Sequence, residues 1–169
     1  MFLTGSEDGL MCAVNNACAD IDDALEAVMN ANVALSRIGF VGAQAQQLYA
    51  LTNVQGLQLW DFGREEMLVN IEDMRAPCSQ AVSSQMDYLI DCKYHASTDE
   101  LYLLAGGDAG QLAVFHVRPG QGPMAAATAY NAQGHTQVVR GFDWHVDSGR
   151  LWTGGEDCKV RHDHPTAGQ

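Results

Sequence analysis

Leu151-Trp152-Thr153-Gly154-Gly155-Glu156-Asp157, near the C-terminal end of the 169-residue sequence, decides the fold. An apolar pair and a hydroxyl lead into two glycines and two carboxylates, and the alternating stretch Lys159-Val160-Arg161-His162 follows. That wording spells a strand, a tight turn and a second strand. It returns at the other end as Phe2-Leu3-Thr4-Gly5-Ser6-Glu7-Asp8. Between the two lie Leu103-Leu104-Ala105-Gly106-Gly107-Asp108-Ala109-Gly110 and the weaker Leu48-Tyr49-Ala50-Leu51-Thr52. A hairpin written four times makes the repeat the guide to architecture.

The residues closing the second strand of each hairpin are Val14, Trp60, Phe115 and Asp163, which stand 46, 55 and 48 positions apart. That pitch holds about four short strands, which is one blade of a β-propeller. The expected fold class is therefore all-β: an incomplete β-propeller of about three to four antiparallel blades. Its blade remnants fall at about 1–30, 33–71, 86–130 and 135–164, and 165–169 reads as a disordered tail. Inner strands are predicted at 33–40, 87–94 and 138–145, and second strands at 48–51, 101–105 and 150–153. Third strands follow at 57–61, 111–116 and 159–162, and outer strands at 67–71 and 124–130.

Alternation of Leu57 and Leu59 against Gln58, and of Leu112 and Val114 against Gln111 and Ala113, supports the third strands. Gly56, Gly107 and Gly110 mark turns that call for positive φ, and Pro77, Pro119 and Pro123 mark inter-strand loops. Residues 20–29 carry helix formers behind an N-cap candidate, Asp20, whereas the repeat register asks for an outer strand at about 24–30. The register is followed, because tertiary pairing overrides propensity.

The formal net charge of −12 repels phosphate and argues against nucleic acid as the ligand. Five cysteines, with no CxxC pair, fit a reducing compartment better than a disulfide framework or a zinc knuckle. No leader pattern follows Met1, and no apolar run approaches the ~20 residues that cross a bilayer. A soluble protein of cytoplasm or nucleus, with no membrane partner, is expected.

The motifs resemble WD repeats. Gly134-His135 opens the last copy, Phe142-Asp143-Trp144-His145 ends its inner strand, and Thr153-Gly154-Gly155-Glu156-Asp157 makes its turn. Trp60-Asp61 is the WD dipeptide itself. The order and wording of the pieces, over nearly the whole chain, are similar to the C-terminal half of a longer member of that family. The resemblance implies about seven blades and roughly twice this length for a complete member. The last repeat departs from the pattern, with Asp163-His164 where Trp-Asp would stand, and the first has Val14-Asn15 there. A fragment that self-associates is one consequence; a truncated product without independent function is another.

The resemblance also implies a structural hydrogen-bond network of His135, Thr153 and Asp157. His, Asp and a hydroxyl could suggest nucleophilic catalysis, but that needs an activated nucleophile and an oxyanion hole. Neither is legible here, nor is any phosphate-loop, nucleophile-elbow or zinc-protease motif. No catalytic residue, cofactor or metal is expected. The alternative is a metal-binding or enzymatic protein using Cys158, His162 and His164. Phe142 and Trp144 read as core, Phe40 as a further aromatic, and Trp152 as ambiguous. Family resemblance implies that the propeller face bearing the turns contacts partners. The candidates there are Glu7, Asp8, Asp108, Thr136, Gln137 and Glu156, in a non-enzymatic scaffold that binds protein partners through its loops.

Overall fold

The structure is a computed structural model that describes residues 1–20, 23–117, 127–130 and 134–163, with the backbone alone at 127–130 and 163. The chain divides into two compact units, Met1–Asp73 and Met74–Gln169. Unit 1 holds a three-stranded sheet, β1 (Phe2–Gly5), β2 (Leu10–Val14) and β3 (Leu25–Asn30). Its second sheet has four strands, β4 (Leu35–Val41), β5 (Gln47–Thr52), β6 (Leu57–Asp61) and β7 (Glu66–Ile71). Unit 2 opens with helix α1 (Arg75–Val82). Then come the four-stranded sheet β8 (Tyr88–His95), β9 (Glu100–Gly106), β10 (Leu112–Val117) and β11 (Ala127–Tyr130), and the three-stranded β12 (Val139–His145), β13 (Arg150–Gly155) and β14 (Val160–Asp163). Within every sheet, neighbours in sequence pair antiparallel. The class is all-β, with four antiparallel meanders in the form of an incomplete β-propeller.

Propensity loses at 25–30. β3 runs through the apparent helix because Met29 pairs with Met11, and Ala27 with Ala13, across a buried face. Those four pack with Leu35, Leu48, Ala50 and Trp60 into the core of unit 1. A helix would turn Ala27 and Met29 roughly 200° apart and lose that common face. Ile21 and Asp22 lie outside the described residues. The core of unit 2 joins Ile90, Leu104, Leu112 and Val114 to Val139, Trp144 and Leu151, with Phe142 partly buried against it.

Several expectations fail, each for a local reason. Pro77 lies inside α1, where the first turn has no use for its missing N–H. The helix escapes sequence reading because it spans only 8 residues, lacks a side-chain N-cap bond and buries only Cys78. Ser83, at φ 51°, ends it in the left-handed conformation. Pro119 and Pro123 lie outside the described residues, as does the 118–126 approach to β11.

Of the three glycines expected at positive φ, only Gly110 has it, at 89°. In the β5–β6 turn the positive φ belongs to Gln55, at 68°. Gly56 serves close approach instead: a Cβ there would stand 2.7 Å from the Ile71 carbonyl oxygen. At Gly107 a Cβ would stand 2.7 Å from the Gln85 carbonyl oxygen. Gln58, expected to face out, is only 3% exposed, and Ala113 is fully buried. β6 and β10 are covered on both faces, so their alternation marks no solvent side. The first strands β4, β8 and β12 each carry a register irregularity near their start, at Leu35/Arg37, Leu89/Asp91 and Val139/Gly141.

Candidate functional site

Three positions on separate segments of unit 2 meet around one imidazole. His135 sits on the loop before β12, Thr153 on β13, and Asp157 in the β13–β14 turn. His135 Nδ1 lies 2.9 Å from Asp157 Oδ1, and Nε2 lies 2.9 Å from Thr153 Oγ1. A proton on Nδ1, donated to the carboxylate, leaves Nε2 to accept from the hydroxyl and satisfies both nitrogens. Asp157 also accepts from the backbone N–H groups of Thr136 and Lys159. Desolvation pushes its carboxyl up, but the hydrogen bonds from His135, Thr136 and Lys159 outweigh that and hold it below the ordinary aspartate range. The His135 side chain is fully covered and that of Asp157 is 4% exposed.

Backbone geometry makes room for the ring. A Cβ at Gly155 would stand 2.6 Å from His135 Nδ1, so the imidazole lies directly on a bare peptide. Gly110, in the β9–β10 turn, carries its positive φ beside the His135 carbonyl. The Glu156 N–H donates to the Val138 carbonyl, a second tie between turn and loop. Asp163, at the position of the missing indole, pairs with Leu151, and Arg161 pairs with Thr153. The Arg161 stem covers Gly134, and its Nε is buried without a partner.

Thr153–His135–Asp157 has the connectivity of a nucleophile, a base and an orienting acid. Thr153 is 1% exposed, which closes its hydroxyl to a substrate carbonyl. What the arrangement does is fasten the loop before β12 to the turn after β13.

Unit 1 fastens its own loop by other residues. Trp60 donates through Nε1 to Gln58 Oε1 at 3.2 Å, and Gln58 Nε2 donates to the Ala31 carbonyl at 3.2 Å and reaches Asn70 Oδ1 at 3.4 Å. Asp61 caps the following turn by accepting from the Arg64 N–H. Trp60 is therefore core and Asp61 is turn chemistry. Sequence reasoning missed Gln58 and Asn70; the available signal was an amide lodged between Leu57 and Leu59. In unit 2, Asp87 accepts from the Asp108 N–H and from Gln85, and the Tyr88 hydroxyl accepts from the Val139 N–H.

The opposite end of the unit 2 sheets holds a second histidine group that the motifs did not announce. His95 Nε2 lies 2.9 Å from Asp147 Oδ1, and Nδ1 lies 2.8 Å from Thr98 Oγ1. The hydrogen bond from His95 is the main cause that holds the Asp147 carboxyl low. A hydrogen bond from Tyr102 does the same for Glu100.

The partner-binding candidates have distinct surroundings. Glu7 and Asp8 lie in the β1–β2 turn of unit 1, where Asp8 accepts from the Leu10 N–H. Asp108, Thr136, Gln137 and Glu156 are exposed in unit 2 at the end of the sheets that His135 occupies. Glu156 is engaged by Arg140, whose Nε lies 2.7 Å away. Trp152 is 46% exposed and stacks on His162 with ring centroids 4.2 Å apart. Phe40 meets Phe62 edge-on. Cys158 is exposed at φ 59°, with its thiol against the Glu156 carbonyl. His164 lies outside the described residues, and the described residues contain no group of three or more metal-ligating side chains.

The repeated turn-and-strand wording, the Trp-Asp pair with Trp60 in the core and the four meanders define an incomplete WD-repeat β-propeller. In sequence, the chain is similar over most of its length to part of two WD repeat-containing proteins. It is 34% identical over 168 residues to WD repeat-containing protein GTS1 of Arabidopsis thaliana, covering 94% of this chain and 42% of that protein. It is 32% identical over 156 residues to the WD repeat-containing protein 89 homolog of Dictyostelium discoideum, covering 92% of this chain and 43% of that protein. The chain thus spans less than half the length of these relatives. No family model matches it. Among solved structures it is similar to the computationally designed Ika4 protein, with a TM-score of 0.59, 13% identity, and coverage of 97% of this chain and 84% of that one.

Proposed function

We propose that the chain is a non-enzymatic scaffold that holds protein partners on the loops and turns between its strands. The observation that supports this most is the buried triad of His135, Asp157 and Thr153. The residues best suited to chemistry are sealed from solvent and spent on holding a loop against a turn. Loops held in advance lose little entropy when a partner docks. The contact residues of this reading are Glu7, Asp8, Asp108, Thr136, Gln137 and Glu156, and the net charge of −12 favours protein partners over nucleic acid. Cytoplasm or nucleus is the proposed compartment, in keeping with five cysteines that form no disulfide.

The test is proximity crosslinking in cells with four forms of the chain: unaltered, carrying Glu7→Lys with Asp8→Lys, carrying Glu156→Lys, and carrying Glu65→Lys as a control. Partners crosslinked by the unaltered chain and released by the turn variants, but retained by Glu65→Lys, support the reading. An identical crosslinked set for all forms overturns it.

A further inference from the structure

We propose that a groove in unit 1 receives an arginine-bearing segment of another protein; this deepens the scaffold reading and rests on it. The groove encloses about 310 Å³ between the β3–β4 loop, the β5–β6 turn and the end of β7. Its apolar lining is Val33, Val54 and Ile71, and its polar rim is Asn32, Asn70 and Glu72.

The walls are set before any ligand arrives. Buried Gln58 binds the Ala31 carbonyl on one wall and reaches Asn70 on the other. Gly56 lets the backbone of the β5–β6 turn lie against the Ile71 and Glu72 carbonyls, where a Cβ would stand within 2.8 Å of both oxygens. Asn32, at φ 56°, is held by a hydrogen bond from its N–H to Asn30 Oδ1. A groove held this way loses little on binding.

The chemistry of the lining selects the occupant. Val54 is 56% exposed and offers a surface for a methylene stem. Glu72 and Asn70 line the same groove and bring acceptor oxygens, Asn70 Oδ1 also accepting from Gln58. A guanidinium brings five N–H donors and no acceptor on an apolar stem, which suits a lining of apolar side chains and acceptors. Charge agrees: residues 1–73 carry eleven carboxylates and only two cationic side chains, Arg37 and Arg64. Neither arginine lines the groove. The same charge repels a phosphate backbone and a second copy of this acidic unit.

The test uses the full 169-residue chain and fluorescence anisotropy of a labelled peptide whose three arginines are spaced by serine. The comparison probe replaces each arginine by citrulline, which keeps the shape and removes the charge. The arginine peptide is expected to bind about tenfold more tightly than the citrulline one. Glu72→Gln and Val54→Lys are each expected to weaken it about fivefold or more. Glu66→Gln removes the same charge at the far end of β7 and is expected to change affinity less than about twofold. Glu72 and Val54 are exposed, and circular dichroism of each variant verifies the fold. Equal losses from Glu72→Gln and Glu66→Gln, or equal binding of the two peptides, overturns the assignment. So does self-association or RNA binding that Val54→Lys abolishes in place of peptide binding. If the peptide fails while Glu7→Lys with Asp8→Lys still releases crosslinked partners, the groove falls and the scaffold reading stands; if both fail, both fall.

Discussion

His135 has a partner on each ring nitrogen, so losing either one strands a buried polar atom. Thr153→Val keeps the shape of the side chain and removes the hydroxyl. It is expected to cost about 1–3 kcal/mol, whereas Thr153→Ser retains most of the stability; urea denaturation measures both. Asp157 adds a pH signature. Its folded carboxyl lies below the unfolded value, so its contribution is present above the unfolded pKa near 4 and is lost as pH falls through the lower folded value. Asp157→Asn should therefore destabilise clearly at pH 7 and much less at pH 3. A loss of melting temperature that is the same at both values would contradict this. The His135–Thr153–Asp157 set was legible through the resemblance of one repeat to WD repeats. The Gln58 bridge in unit 1 was not, because a polar residue between two leucines reads as a solvent-facing position until both faces of the strand are seen to be covered.

At the scale of the element, glycines test the turns. Gly110→Ala places a Cβ at φ 89° against the His135 carbonyl, and a loss of more than about 1 kcal/mol is expected. Gly154→Ala meets open space on β13 at an ordinary φ, and its midpoint in the same urea titration should move by no more than about 0.5 kcal/mol. Equal effects would mean that the turn is not what demands Gly110. β3 shows why propensity failed at 25–30: helix formers contribute a few tenths of a kcal/mol each, while Met11, Ala13, Ala27 and Met29 share one buried face. α1 shows the reverse case. It lacks the start signals that identify a helix, and Pro77 reads as loop until the first turn is in place.

At the scale of the whole molecule, each unit has its own core. Trp60→Ala removes the largest side chain from the core of unit 1 and is expected to cost about 3–5 kcal/mol. Hydrogen exchange should show the first loss of amide protection in β1 to β7; loss confined to β8 to β14 would contradict the assignment of Trp60 to that core. Charge is divided as unevenly as the fold is evenly repeated. Unit 1 holds eleven of the twenty-one carboxylates but only two of the nine cationic side chains. That imbalance, which the residue order alone contains, is what gives the groove its proposed preference for a cation.

The sequence by itself determined the repeat and the strand order, because each is written locally, in alternation, turn residues and pitch; the meeting of His135 with Asp157 followed from the resemblance to WD repeats. Tertiary structure alone decided that Gln58 is buried, that 25–30 is a strand and that Gly56 answers to close approach instead of positive φ. These depend on what covers a strand from outside its own stretch of chain, and burial by distant residues outweighs the small local preferences that a sequence displays.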